Sequence, residues 1–171
     1  MNPLWQNIFR SRGYENTLAY FLSTVPAFSK LDKRDLAVLE HLVHVRNYTA
    51  DEVVFSEGDI GSGMYIIRSG QVRIYTQDDL EQTTDKAVLE TGDFFGETAL
   101  TASRPRCASA KATESTVLVG LFRSDVEEAI RRHPLEMAKI MFGLNRVISD
   151  RLLQCSLQLD KLMKLYGTEQ Q

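Results

Sequence analysis

Between Val43 and Phe122 the chain exchanges one hydrophobic period for another, and that switch restricts its fold more than any other feature. Val72, Ile74 and Thr76 alternate with Arg73 and Tyr75, and Val117, Val119 and Leu121 alternate in the same way. A period of two places alternate side chains on opposite faces of a strand. Other runs are rich in β-branched and aromatic residues and stop at turn residues. Glu52 to Phe55 ends at Glu57-Gly58-Asp59, Met64 to Arg68 ends at Ser69-Gly70, and Lys86 to Leu89 ends at Gly92. Many short strands with regular turn signals indicate a sandwich, jelly roll or barrel over 44–123. Gln77 to Asp85 carries no long apolar residue except Leu80, which predicts a surface hairpin loop.

The helical period flanks this region on both sides. Residues 1–43 are expected to hold helices. One covers Glu15 to Ser23 and stops before Pro26. Another starts at Asp32, an N-cap with Asp35 at its N3 position, and presents Leu36, Leu39, Leu42 and Val43 on one face. Leu4, Trp5, Ile8 and Phe9 form an amphipathic stripe, expected to pack on its own domain rather than on a membrane. Residues 124–166 are expected to be helical again. Ser124 caps a short helix to Arg132, His133-Pro134 breaks it, and a last helix runs from Leu135 to about Tyr166. The expected fold is mainly β, with helices at both ends, in a single domain over 1–171.

Composition removes several functions. The 171 residues are 43% apolar and 25% charged, with a formal net charge of -3. A duplex-binding surface needs a basic bias to neutralise phosphates, so no DNA partner is expected. No run approaches the roughly 18 apolar residues of a membrane span. The N-terminus lacks the charged-then-apolar build of a signal peptide. Cys107 and Cys155 have no metal or redox spacing, which favours a reducing compartment, and the expected location is cytoplasmic. His41 and His44 lie three apart on the expected helix, yet no third metal ligand is near them in sequence. No nucleophile-base set is evident, so an enzyme is not expected.

One segment concentrates chemistry: Glu90-Thr91-Gly92-Asp93-Phe94-Phe95-Gly96-Glu97-Thr98-Ala99-Leu100, then Arg104-Pro105-Arg106-Cys107-Ala108-Ser109. Gly96 leads into an apolar stretch able to make one helical turn. Its first N–H groups, from Gly96 to Ala99, would face an anion. Arg106 follows nine residues after Glu97, with small residues around it. Together these make a phosphate pocket. Glu97 would repel a phosphate directly, but it can accept a hydrogen bond from a neighbouring hydroxyl. The competing reading is a surface ion pair of Glu97 with Arg106, worth little.

This segment resembles the phosphate-binding cassette of cyclic nucleotide-binding domains, the family of catabolite activators and of protein kinase A regulatory subunits. Glu57-Gly58-Asp59 before Met64-Tyr65-Ile66-Ile67, then Gly70, Val72 and Gly92-Asp93, follow that family in order and spacing, from about Phe28 to the start of the last helix. The resemblance implies an eight-stranded β-roll with helices before and after it. It implies that Glu97 accepts from the ribose 2′-hydroxyl and that Arg106 pairs with the cyclic phosphate. Amides near Gly96, Ala99 and Cys107 would complete the phosphate shell, with Thr98 and Ala108 also at the ligand and Ile74 and Ala87 beside the sugar and base. The ligand is cyclic AMP or cyclic GMP, with no further cofactor. Two positions depart from the pattern. Thr98 replaces a leucine, and Cys107 stands where a threonine or serine hydroxyl favours guanine. A thiol is a weak donor, which leans towards cyclic AMP.

The last helix carries a second stripe. Met141, Leu144 and Ile148 are expected to pack on the β-roll. Leu152, Cys155, Leu159, Leu162 and Tyr166 repeat at three and four residues and are expected to meet a partner helix, in a homodimer. Family regulators carry a helix-turn-helix after this helix, and none follows here, which suggests a stand-alone sensor or a fragment. An unknown downstream protein would read its state. Ser149, Arg151, Leu152, Cys155 and Ser156 remain open as the residues that face the base. The alternative is a dimeric module with a vestigial pocket.

Overall fold

The structure, a computed structural model, describes residues 17–78 and 80–168, with side chains as far as Leu165. The stripe of Leu4, Trp5, Ile8 and Phe9 and the side chain of Tyr166 lie outside the described residues. Two helices come first, α1 (Leu18–Thr24) and α2 (Lys33–Leu42). α1 begins later than expected, because Thr17 caps it by accepting from the Tyr20 N–H. α2 starts where its signal lies. Asp32 accepts from the Arg34 and Asp35 amides, and the Asp35 carboxylate accepts from the Asp32 amide, a complete capping box.

Eight strands follow: β1 (Val43–Tyr48), β2 (Val53–Phe55), β3 (Gly63–Ser69), β4 (Val72–Gln77), β5 (Thr83–Leu89), β6 (Phe94–Phe95), β7 (Ser109–Ala112) and β8 (Thr116–Phe122). A single turn, α3 (Thr98–Thr101), lies between β6 and β7. The strands form two antiparallel four-stranded sheets, ordered β1-β8-β3-β6 and β2-β7-β4-β5. This is the expected eight-stranded β-roll. Helices α4 (Arg123–Arg132) and α5 (Pro134–Thr168) complete the described fold, with Pro134 opening α5.

The alternation in β3 explains the layering. Met64 and Ile66 belong to a core shared with Leu22, Phe28, Leu39, Val126, Met137, Ile140 and Leu144. Tyr65 and Ile67 point the other way, into a second core with Val72, Phe95, Ala110 and Leu118. The central strands β3 and β8 of the first sheet are therefore buried on both faces, between helices and the second sheet, while the edge strand β1 is largely exposed. Met141 and Ile148 pack on the helical core and Leu144 lies inside it, as their spacing predicts.

Two local readings need correction. Gln77 and Thr83 to Asp85 are strand, so the loop is confined to 78–82. Thr83–Lys86 is exposed and needs no apolar face; backbone pairing to β4 and an Arg73–Asp85 ion pair hold it. Ser124 does not cap α4, which begins one residue earlier after Phe122 and has no side-chain cap. Strands β6 and β7 are too short and too rich in small or repeated residues to show alternation.

Candidate functional site

Arg106 is the centre of the site. Its backbone runs beside the turn after β2: the Gly58 N–H donates to Arg106 O, and the Arg106 N–H donates to Asp59 O. The side chain is turned inward and only 7% exposed. Nη1 donates to Gly96 O at 2.9 Å and Nη2 to Gly63 O at 2.8 Å. The guanidinium lies over the Phe55 ring, 4.0 Å from its centroid. Burial pulls its pKa below the ordinary value, while Tyr65, Asp59 and Glu97 oppose that shift. A buried cation held by neutral carbonyls has the chemistry to receive an anion.

Gly96 lets this happen. Its φ is +76°, and a Cβ there would sit 2.6 Å from Arg106 Nη1. Directly after it, Glu97 is the N-cap of α3 without a side-chain cap bond. The Glu97 carboxylate is left for other partners.

Both residues open into one cavity of about 250 Å³. Ile74, Ala87, Gly96, Glu97, Thr98, Arg106, Cys107 and Ala108 all line it, with Phe55, Leu89, Phe94, Phe95 and Arg151. Ile74 and Ala87 are direct cross-strand partners in β4 and β5, so they share a face. Ala99 is the exception among the expected residues. It is buried behind the cavity, and its N–H donates to Gly96 O at 3.2 Å, which withdraws that amide from an anion. The Glu97–Arg106 surface ion pair does not form: Arg106 is buried on backbone carbonyls.

Sequence spacing leaves Arg151 open, and the fold brings it in. From α5 its Nη1 donates to Phe94 O at 3.0 Å and lies 3.6 Å from Glu97 Oε1, with the guanidinium over the Phe94 ring. Ser149, Leu152, Cys155 and Ser156 do not line the cavity. Beyond Arg151, Leu152, Leu159 and Leu162 are exposed, and so is Phe142 earlier in the helix.

A larger open groove of about 450 Å³ lies between α2 and α4, lined by His41, His44 and His133 among others. His44 falls in β1 rather than on a helix with His41, and its Nε2 is 2.9 Å from Asp125 Oδ2. Among the described residues, no group of three or more His, Cys, Asp or Glu is gathered to hold a metal ion. Among them, too, no helix is long and apolar enough to cross a membrane.

Comparison with known proteins places the fold in a family. The chain is 34% identical over 137 residues to the cyclic AMP receptor protein of Thermus thermophilus, covering 80% of this chain and 62% of that protein. It is 27% identical to the cGMP-dependent protein kinase of Toxoplasma gondii, over 88% of this chain but 14% of the kinase. The crystal structure of the Thermus thermophilus catabolite activator protein superposes with a TM-score of 0.71 at 33% identity, over 80% of this chain and 62% of that one. This chain thus spans less than two thirds of each of these relatives. The family model of the cyclic nucleotide-binding domain matches residues 45–133, more than half of the 171, and includes every cassette residue described above. The chain belongs to the cyclic nucleotide-binding domain family.

Proposed function

We propose that this chain is a non-catalytic sensor that binds cyclic AMP in preference to cyclic GMP and relays occupancy through α5. One observation carries the proposal: the Arg106 guanidinium and the Glu97 carboxylate open into a single cavity with an apolar wall from Ile74 and Ala87. The cyclic phosphate takes the Arg106 donors now given to Gly96 O and Gly63 O, and supplies the counter-charge that the buried guanidinium lacks. Glu97 accepts from the ribose 2′-hydroxyl. Gly96, Thr98, Cys107 and Ala108 border the phosphate, while the sugar and base rest on Ile74 and Ala87. Ala99 supports α3 from behind. Cys107 offers only a weak donor to a guanine, which favours adenine.

The relay starts at Arg151. A ribose hydroxyl on Glu97 competes with Arg151 for that carboxylate, so ligand changes what α5 contacts in the pocket. A ligand shifts a conformational equilibrium only by such a difference in contacts. The exposed face after Leu152 is read as the seam of a homodimer, and an unidentified downstream protein senses the change. The whole chain acts as one binding domain, in the cytoplasm. A dimeric module with a vestigial pocket is the second reading; it is favoured by Arg106 already having two backbone partners.

Isothermal titration with both nucleotides tests the proposal. Heat release with cyclic AMP that disappears in Arg106→Ala is expected. If the intact chain binds neither nucleotide, the sensor reading is wrong. Light scattering is expected to give a dimer, and a monomer would refute the seam.

A further inference from the structure

Arg123 breaks a local rule. It is the first residue of α4, where a cation opposes the helix dipole, and the helix has no side-chain cap there. A choice against local preference points to a tertiary role. The side chain supplies it. Arg123 Nη1 donates to Ala99 O at 3.0 Å and to Gly61 O at 3.3 Å. The Arg123 N–H donates to Ser62 O at 2.8 Å. Ala99 O lies in the single turn α3, whose carbonyls have no helical partner further on.

Arg106 and Arg123 therefore grip the same two segments. Gly61, Ser62 and Gly63 present three consecutive carbonyls, taken by Arg123 side chain, Arg123 backbone and Arg106 side chain. On the cassette side, Arg106 holds Gly96 O and Arg123 holds Ala99 O. The two segments touch: a Cβ on Gly61 would lie 2.4 Å from the Ala99 Cβ.

We infer that Arg123 is a positioning residue that keeps α3 on the 61–63 turn while Arg106 is given over to the ligand, and that couples α3 to α4. This rests on the cassette being a nucleotide site. When phosphate draws the Arg106 donors away, the bonds to Gly96 O and Gly63 O are lost. The Arg123 bonds remain, so the cassette does not part from the turn. Any displacement of α3 then pulls on the first residue of α4, and α4 leads through His133 into α5. Arg123 does not line the cavity.

The test combines titration of cyclic AMP with hydrogen–deuterium exchange at saturating cyclic AMP, on the full chain and on Arg123→Gln and Arg123→Lys. Circular dichroism checks folding. In the unaltered chain, ligand is expected to slow exchange over 96–101 and to change it over 123–132. Arg123→Gln should bind about tenfold more weakly, the loss of a charge-assisted bond. At saturation it should keep the change over 96–101 and lose that over 123–132. Arg123→Lys, which keeps one charged donor, should fall between the two in both readouts, and it carries the test alone if Arg123→Gln does not fold. Weaker binding with the full response over 123–132 would mark a merely structural role and overturn the inference. So would variants with unaltered affinity. A lack of binding by the unaltered chain overturns the nucleotide reading instead, and the two failures are thereby distinct.

Discussion

Replacing Arg106 with lysine keeps the positive charge and removes the planar fork. The guanidinium holds Gly96 O at 2.9 Å and Gly63 O at 2.8 Å at once, inside a site that leaves the residue 7% exposed. An ammonium is a single point and cannot span both carbonyls. One charge-assisted bond is lost, about 1.5–3 kcal/mol, and part of the contact with Phe55 goes with it. At roughly 2–4 °C per kcal/mol for a chain of this size, Arg106→Lys should lower Tm by about 3–12 °C without ligand. The same fork is what meets a phosphate through two parallel bonds, so cyclic AMP should bind about 10–100-fold more weakly. Thermal unfolding with and without nucleotide, followed by calorimetric titration, reads both numbers. An unchanged Tm together with an unchanged Kd would refute the reasoning. A lower Tm with an unchanged Kd would assign Arg106 to scaffolding alone.

Three further outcomes are expected. A Cβ on Gly143 of α5 would lie 1.9 Å from the backbone oxygen of Ala27; since no side chain can yield, Gly143→Ala should cost about 1–3 kcal/mol, and a Tm within a degree of the original would contradict that close approach. The Asp32 carboxyl is held down at about 2, first by the Asp35 amide and then by Lys139. Its folded-state pKa lies below the ordinary value of 3.8, so its contribution is full above that value and is lost as pH falls through about 2. Urea midpoints should therefore decline between about pH 4 and pH 2, and Asp32→Asn should flatten that limb. Cys107→Thr places a hydroxyl on the cavity wall and should raise affinity for cyclic GMP relative to cyclic AMP by up to about tenfold; an unchanged ratio in paired titrations would remove Cys107 from nucleotide choice.

Legibility differed from element to element for physical reasons. The start of α2 could be read because its cap is made by Asp32 and Asp35, three residues apart, whose carboxylates bond each other's amides. β3 could be read because both its faces are buried, which demands a continuous apolar run. β5 could be read only over Lys86 to Leu89. Its exposed first half, Thr83 to Asp85, needs no apolar pattern, and its place comes from the ladder with β4. The start of α4 is hidden from the sequence because Ser124 offers a local cap, whereas Arg123 is held by carbonyls from distant loops.

The sequence by itself determined the cassette. Gly96, Glu97, Thr98, Arg106, Cys107 and Ala108 fall within thirteen residues, so a short loop and one helical turn suffice to bring them to one cavity. The period switch at Val43 and Phe122 likewise determined the succession of helices, strands and helices. Only the tertiary structure decided what surrounds the cassette. Phe55 beneath Arg106, Gly63 and Gly61 as acceptors, Arg151 from α5 and Arg123 from α4 come from segments far apart in the chain. The bonds they make fix two chain segments relative to each other. No periodicity within either segment records such a bond, because its geometry exists only once both sheets have closed.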